Sequence, residues 1–365
     1  MKHTSQALAL LTAAALTLSG CSSLLEQEYT HITPHNAAPT AEGDPSTLRA
    51  DSYQELVNAL IYLVDKGIEK GTVRLYTNQE DISADLEAAC LEVVQEDPLG
   101  AYAVEYITYS TSSVVSYTEA TVNITYRRTK EQVDSIVRAT GITAIRSELA
   151  SAMSSFKPEC VLRISYFDED ESFIQELAKQ AYYNVPAYAL GMPELQVTLY
   201  PDSGQQRIVE ILLTYSMEQV ELEQRQSVLS QKLNQLSETL DTSSGDAGFV
   251  SAAQAIVSVG SYSENGGSTA YDLLKGGTAN SEGFALTMAA LCQNLGLPCR
   301  VVWGTLNGTP HFWNLVQSKS GWRHMDLTAS NGESFPFYTD RQMMLAGYDY
   351  DISLFSTSVS SEEGN

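Results

Sequence analysis

Three side chains able to do chemistry together stand near the end of this 365-residue chain. Ser281 lies in Asn280-Ser281-Glu282-Gly283-Phe284-Ala285-Leu286. Helical spacing continues from there through Met288, Leu291 and Leu295 to a stop at Gly296, with Pro298 beyond. A nucleophile at a helix N-terminus gains from the unsatisfied N–H groups and the dipole. Serine is also a favoured N-cap, so a capping duty competes with a chemical one. His311 opens His311-Phe312-Trp313-Asn314-Leu315-Val316, and Asp326 follows in Trp322-Arg323-His324-Met325-Asp326-Leu327-Thr328. These two segments read as strands joined by a turn around 318–321. If that turn holds an even number of residues, both side chains point to one face, opposite each other or one diagonal step apart. An aspartate so placed can hold an imidazole in one tautomer.

The elements that must position these residues begin at Asp246. A helix over about 249–259 precedes a Gly/Ser-rich stretch, and then comes Ala270-Tyr271-Asp272-Leu273-Leu274-Lys275-Gly276-Gly277. After the helix that starts near Ser281, Arg300-Val301-Val302-Trp303-Gly304 reads as a strand.

This segment resembles the transglutaminase-like superfamily of papain-type folds. Its members commonly show C-E-G-Y/F-A opening a helix, then G-I-P-C-R-V-V, H-A-W-N-L-V and W-x-x-x-D-x-T. The likeness runs on through 340–350 to a G-Y-x-x-D ending and covers roughly 246–351. It implies a Cys-His-Asp triad, with His311 on the family's histidine and Asp326 on its acid. The nucleophile position falls on Ser281, where this sequence departs from the pattern, and Cys292 lies three turns further down the same helix. A thiol of pKa near 8.5 becomes a thiolate beside an imidazolium, whereas a hydroxyl needs concerted proton removal and a well-aimed oxyanion hole. Ser281, His311 and Asp326 are therefore expected to form an assembled but quiet site, and the domain to lack the family's enzymatic activity. Trp303, Trp313 and Asn314 are expected to line its cleft.

Cys292 and Cys299 flank the turn 293–298 and could meet as a disulfide, while Cys90 lies on an apolar stripe with Leu86, Ala89, Val93 and Val94. No metal-binding spacing occurs, and nothing calls for a cofactor.

Upstream, 72–240 contains an internal repeat. Arg74-Leu75-Tyr76 returns as Arg163-Ile164-Ser165, and Thr125-Tyr126 as Thr214-Tyr215, both at an offset of 89 residues. Each copy, about 72–155 and 161–240, reads β-α-β-β-α, with a helix from about Lys130 closing the first and one from Glu218 closing the second. Leu222, Leu229, Leu233, Leu236 and Leu240 form a seam expected to pack on its own sheet. Thr242-Ser243-Ser244-Gly245 marks the boundary.

The chain opens with Lys2 and His3, an apolar run over 7–18, and Leu18-Ser19-Gly20-Cys21. The run is too short to span a bilayer. The tetrad resembles the bacterial lipobox, which implies a signal peptide over 1–20 and a lipid on Cys21. Residues 21–50, polar with Pro34, Pro39 and Pro45, read as a tether with a root-mean-square reach of roughly 30 Å. Removing the leader takes one of the 21 Lys/Arg and leaves 45 Asp/Glu, which excludes a nucleic-acid footprint and attraction to anionic lipid. Ser52-Tyr53-Gln54-Glu55 fits a capping box.

The expectation is an α+β chain with a leader over 1–20, a lipidated tether over 21–50, a duplicated region over 51–241, a papain-like transglutaminase domain over 246–352 and a disordered tail over 353–365. It would sit on the extracytoplasmic face of a membrane and bind a peptide, protein or other envelope component. An active serine hydrolase or acyltransferase on peptide amides, and a purely structural envelope protein, are the alternatives.

Overall fold

Ser52 has extended backbone and its side chain accepts from the Glu55 N–H, so helix α1 begins at Tyr53. Only half of the expected capping box forms, because the Glu55 carboxylate accepts from the Asp51 N–H instead. The computed structural model describes residues 38–76, 81–240, 245–329 and 334–355. The leader, Cys21, the first part of the tether, the boundary 242–244 and the end of the tail lie outside the described residues. Contacts divide the chain into two compact units: residues up to 145 with 162–168 and 200–208, and 146–161 with 169–199 and 209 onward.

The first sheet runs in the order β1-β2-β3-β5-β4. Its strands are β1 (Thr40–Glu42), β2 (Asp44–Ala50), β3 (Lys70–Leu75), β4 (Val104–Val114) and β5 (Tyr117–Tyr126). Helices α1 (Tyr53–Asp65), α2 (Ile82–Gln95) and α3 (Pro98–Ala103) accompany it. The tether expected to reach residue 50 is thus structured from Thr40. Leu48 and Ala50 are fully buried there, and β2 pairs in parallel with β3.

The helix expected from Lys130 is broken into three elements: α4 (Lys130–Asp134), β6 (Val137–Ala139) and α5 (Gly141–Ser154). Gly141, at φ +80°, sets a backbone turn before α5 that other residues rarely adopt. The second sheet has the order β6-β7-β9-β8, with β7 (Glu159–Ile164), β8 (Glu194–Tyr200) and β9 (Arg207–Thr214), and α6 (Glu171–Asn184) follows β7. Lys70 and Glu159, which open β3 and β7, stand 89 residues apart, as do Ile82 and Glu171, which open α2 and α6.

Helix α7 (Gln219–Ser237) buries Leu222, Leu229 and Leu233, but against α9 (Ser281–Asn294) rather than its own sheet. Asn294 donates to the Asn234 side chain at 3.0 Å across that interface. The leucine seam therefore belongs with the C-terminal domain, and the expected boundary after Leu240 moves upstream of α7.

Helix α8 (Asp246–Val259) also packs on α9. Strands β10 (Ser261–Gly267) and β11 (Thr278–Ala279) form a small parallel pair around a π turn at Asp272–Gly276. The third sheet, β14-β13-β12-β15, holds β12 (Cys299–Leu306), β13 (Thr309–Ser318), β14 (Gly321–Met325) and β15 (Tyr348–Asp349). Helices α10 (Asp340–Leu345) and α11 (Ile352–Phe355) complete the domain. Phe355 is buried on Trp303, with ring centroids 4.7 Å apart, so residues 353–355, expected in the tail, belong to the fold.

Candidate functional site

Asn280, not Ser281, caps α9: its side chain accepts from the Gly283 N–H at 3.1 Å. Ser281 is thereby the first helical residue, and the capping duty that competed for it falls to its neighbour. Gly283 has a packing reason to be glycine, because a Cβ there would stand 2.7 Å from Ala279 Cβ and 3.0 Å from two carbonyl oxygens. The close approach seats the start of α9 against the loop before it.

The turn between β13 and β14 holds two residues, since Ser318 pairs with Gly321. Asn314 pairs with Met325, so the next position along sets Asp326 beside Trp313, one diagonal step from His311. His311 Nε2 and Asp326 Oδ2 are 2.6 Å apart in the interior. Asp326 also accepts from the Tyr348 hydroxyl (2.7 Å), the Thr328 hydroxyl (2.7 Å) and the N–H groups of Thr328 (2.8 Å) and Ala329 (3.3 Å). Burial pushes this carboxyl up, but the bonds from His311, Tyr348 and Thr328 together hold it below the usual range. An ionised Asp326 takes the Nε2 proton as its partner, which leaves Nδ1 as the basic nitrogen of the neutral ring.

The Ser281 hydroxyl is buried beside this pair and accepts from the Phe312 N–H at 3.3 Å. Among the described residues no hydrogen bond joins Ser281 Oγ to the His311 ring. His311 and Asp326 are thus brought together, and the Ser281 hydroxyl is held by the backbone amide of the residue after His311.

The residues expected to line a cleft do otherwise. Trp313 is 1 % exposed and lies near-parallel to the His311 ring, in a cluster with Val302, Leu315, Met343, Tyr348 and Phe355. Asn314, also 1 % exposed, projects from the opposite face of β13 and donates to the carbonyls of Ala285 (2.9 Å) and Arg300 (3.4 Å), bracing α9 on the sheet. Trp303 is half-buried between Tyr183, stacked at 4.9 Å, and Phe355.

Cys292 and Cys299 do meet, as free thiols in hydrogen-bond contact, and burial pushes the Cys299 thiol up. Cys90 and Cys160 are buried thiols pushed up to about 11 and about 12, as inert core residues should be.

Tyr348 and Thr328, which fix Asp326, were not singled out from the sequence, although Tyr348 sits in the Gly347-Tyr348 pair of the terminal motif. A second network was also missed. Trp313 Nε1–H donates to His324 Nδ1 at 2.9 Å, and His324 Nε2 lies 2.9 Å from Asp340 Oδ1. Beside Ser281, Glu282 accepts from the Tyr183 hydroxyl at 2.9 Å; burial raises its carboxyl, against the opposing pull of Tyr183 and Lys179. Among the described residues no group of His, Cys, Asp or Glu converges as a metal site, and no helix is long and apolar enough to cross a membrane.

Residues 234–327 match the family model described as the transglutaminase-like superfamily. The chain carries a transglutaminase-like domain. The match begins within α7, in keeping with the packing of that helix on α9. Among solved structures, one described as a TGase is similar at 14% identity, covering 69% of this chain and 72% of its own, with a TM-score of 0.27. A candidate protease from Parabacteroides distasonis is similar at 9% identity, covering 72% of this chain and 40% of its own, with a TM-score of 0.23. No curated protein matches the chain.

Proposed function

We propose that the protein is a lipoprotein anchored through Cys21, whose transglutaminase-like domain is catalytically quiet and binds a peptide or another envelope component. The observation that carries this reading is the setting of Ser281. Its oxygen is engaged by the Phe312 amide while the imidazole beside it stays bonded to Asp326. A hydroxyl is activated only by a base within hydrogen-bond reach, and a site shaped around a thiolate does not supply one by default. Membrane attachment rests on the leader sequence, and the ligand class on the family's chemistry of peptide side chains and amides. The shared 89-residue offset and the matching strand orders of the first two sheets support an origin of the upstream region by duplication.

An active serine hydrolase or acyltransferase is the rival, favoured by one observation: His311 Nε2 is bonded to an Asp326 carboxylate that Tyr348 and Thr328 fix in place, which leaves Nδ1 as the ring's basic nitrogen. An electrophilic serine probe separates the two. Native Ser281 should label poorly. In Ser281→Cys the thiol should alkylate below pH 7 and lose that reactivity in His311→Ala, with Cys292 and Cys299 followed as background. Strong, His311-dependent labelling of the native serine would overturn the quiet-site reading. For the anchor, Cys21→Ala should release the chain from membranes or block its processing; unchanged retention and N-terminal mass would refute lipidation.

A further inference from the structure

We infer that His324 is a positioning residue, which fixes the indole of Trp313 and through it sets the orientation of the His311 imidazole. The inference goes beyond the functional reading, since it holds whether Ser281 reacts or not. Both nitrogens of the His324 ring are committed. Nδ1 accepts from the indole N–H, so the ring proton is on Nε2, facing Asp340 Oδ1. The Tyr350 hydroxyl closes the corner, 2.9 Å from Nε2 and donating to Asp340 Oδ1 at 2.6 Å. A relay of contacts therefore runs from Asp340 at the surface, through the buried His324, to an indole lying 22° from the plane of the His311 ring.

The chemistry explains why a histidine stands here. A buried indole N–H needs an acceptor. A carboxylate would supply one only by bringing a charge into the interior. A neutral imidazole accepts without charge, provided its proton is held on the far nitrogen, and Asp340 and Tyr350 hold it there. Burial keeps His324 below the usual imidazole range although Asp340 pulls the other way. On the strand side, the backbone of Tyr338 pairs with that of His324 through both N–H and C=O groups, and the Tyr338 ring packs against the Trp313 cluster. Among the described residues the indole N–H has one hydrogen-bond partner, His324 Nδ1, while the ring faces of Trp313 pack on the apolar cluster and on the rings of Tyr348 and Tyr350.

The test is NMR of the mature chain with isotope-labelled histidine and tryptophan. In the native protein His311 should show a far-downfield Nε2–H signal from its bond to Asp326, and His324 the Nε2–H tautomer. His324→Phe keeps an aromatic ring and removes the acceptor; the His311 Nε2–H signal should be lost or displaced. His324→Asn sets an amide oxygen where Nδ1 was and should restore it. Identical His311 signals in His324→Phe, or failure of a folded His324→Asn to restore them, would overturn the inference. If His324→Phe does not fold, Asp340→Ala, altered at the surface, should displace the Trp313 Nε1–H signal, and an unmoved signal there would overturn it equally.

Discussion

Two histidine–aspartate pairs lie back to back in the C-terminal domain, and they are built inside out from one another. In His311–Asp326 the carboxylate is the more deeply buried partner: it accepts five hydrogen bonds, and the imidazole commits one nitrogen, Nε2, to it. In His324–Asp340 the imidazole is the buried partner, with both nitrogens engaged, while 59% of the Asp340 side chain is exposed. The separations, 2.6 and 2.9 Å, barely differ. A short His–Asp distance therefore does not identify a catalytic pair. The distinction lies in which partner is desolvated and whether the second ring nitrogen is left for chemistry.

This contrast is most easily broken at the carboxylates. Asp326→Ala leaves donors from four residues without an acceptor, those of His311 and Tyr348 buried, and should cost about 3–5 kcal/mol in chemical denaturation. Asp340→Ala, at the surface, should cost no more than about 1 kcal/mol. Equal losses would erase the distinction.

Acid separates the pairs next. His324 titrates below 6.5 in the fold, so its unfolded form takes up a proton first. Its contribution is complete above about pH 6.5 and is lost as pH falls toward the folded value, by at most about 1.4 kcal/mol per pH unit. Asp326 titrates below 3.8, so its contribution is complete above that value and disappears only under stronger acid. Melting temperatures of wild type and His324→Asn across pH 4–8 should diverge in the upper window; parallel curves would mean that His324 is not the group responsible. The smallest effect should come from Tyr183→Phe, which removes the hydrogen bond to Glu282 and should cost about 0.5–1.5 kcal/mol without altering His311.

Local periodicity and spacing carried much of this domain. The stop at Gly296, the strands and the diagonal relation of His311 to Asp326 all depend on short-range geometry, and a two-residue turn suffices to fix that relation. Other features depend on residues far apart in the chain. Tyr348 reaches Asp326 only because β15 joins the edge of β12, where Gly304 leaves room for the Asp349 carbonyl, 2.3 Å from where a Cβ would stand. The roles of Trp313 and Asn314 depend on which sheet face meets α9. β1 and β2 escaped notice because Thr40–Glu42 and the start of β2 are polar and exposed, with burial confined to the end of β2. The leucine seam of α7 declared that it must be covered but not by what.

The cap at Asn280 has an evolutionary consequence. Because the neighbouring amide side chain terminates the helix, residue 281 carries no share of that work, and its identity is uncoupled from the folding of α9. Serine and cysteine differ there by one atom, and Asn280 caps the helix for either. A single substitution at this position can thus change the side-chain chemistry while leaving the cap of α9 intact.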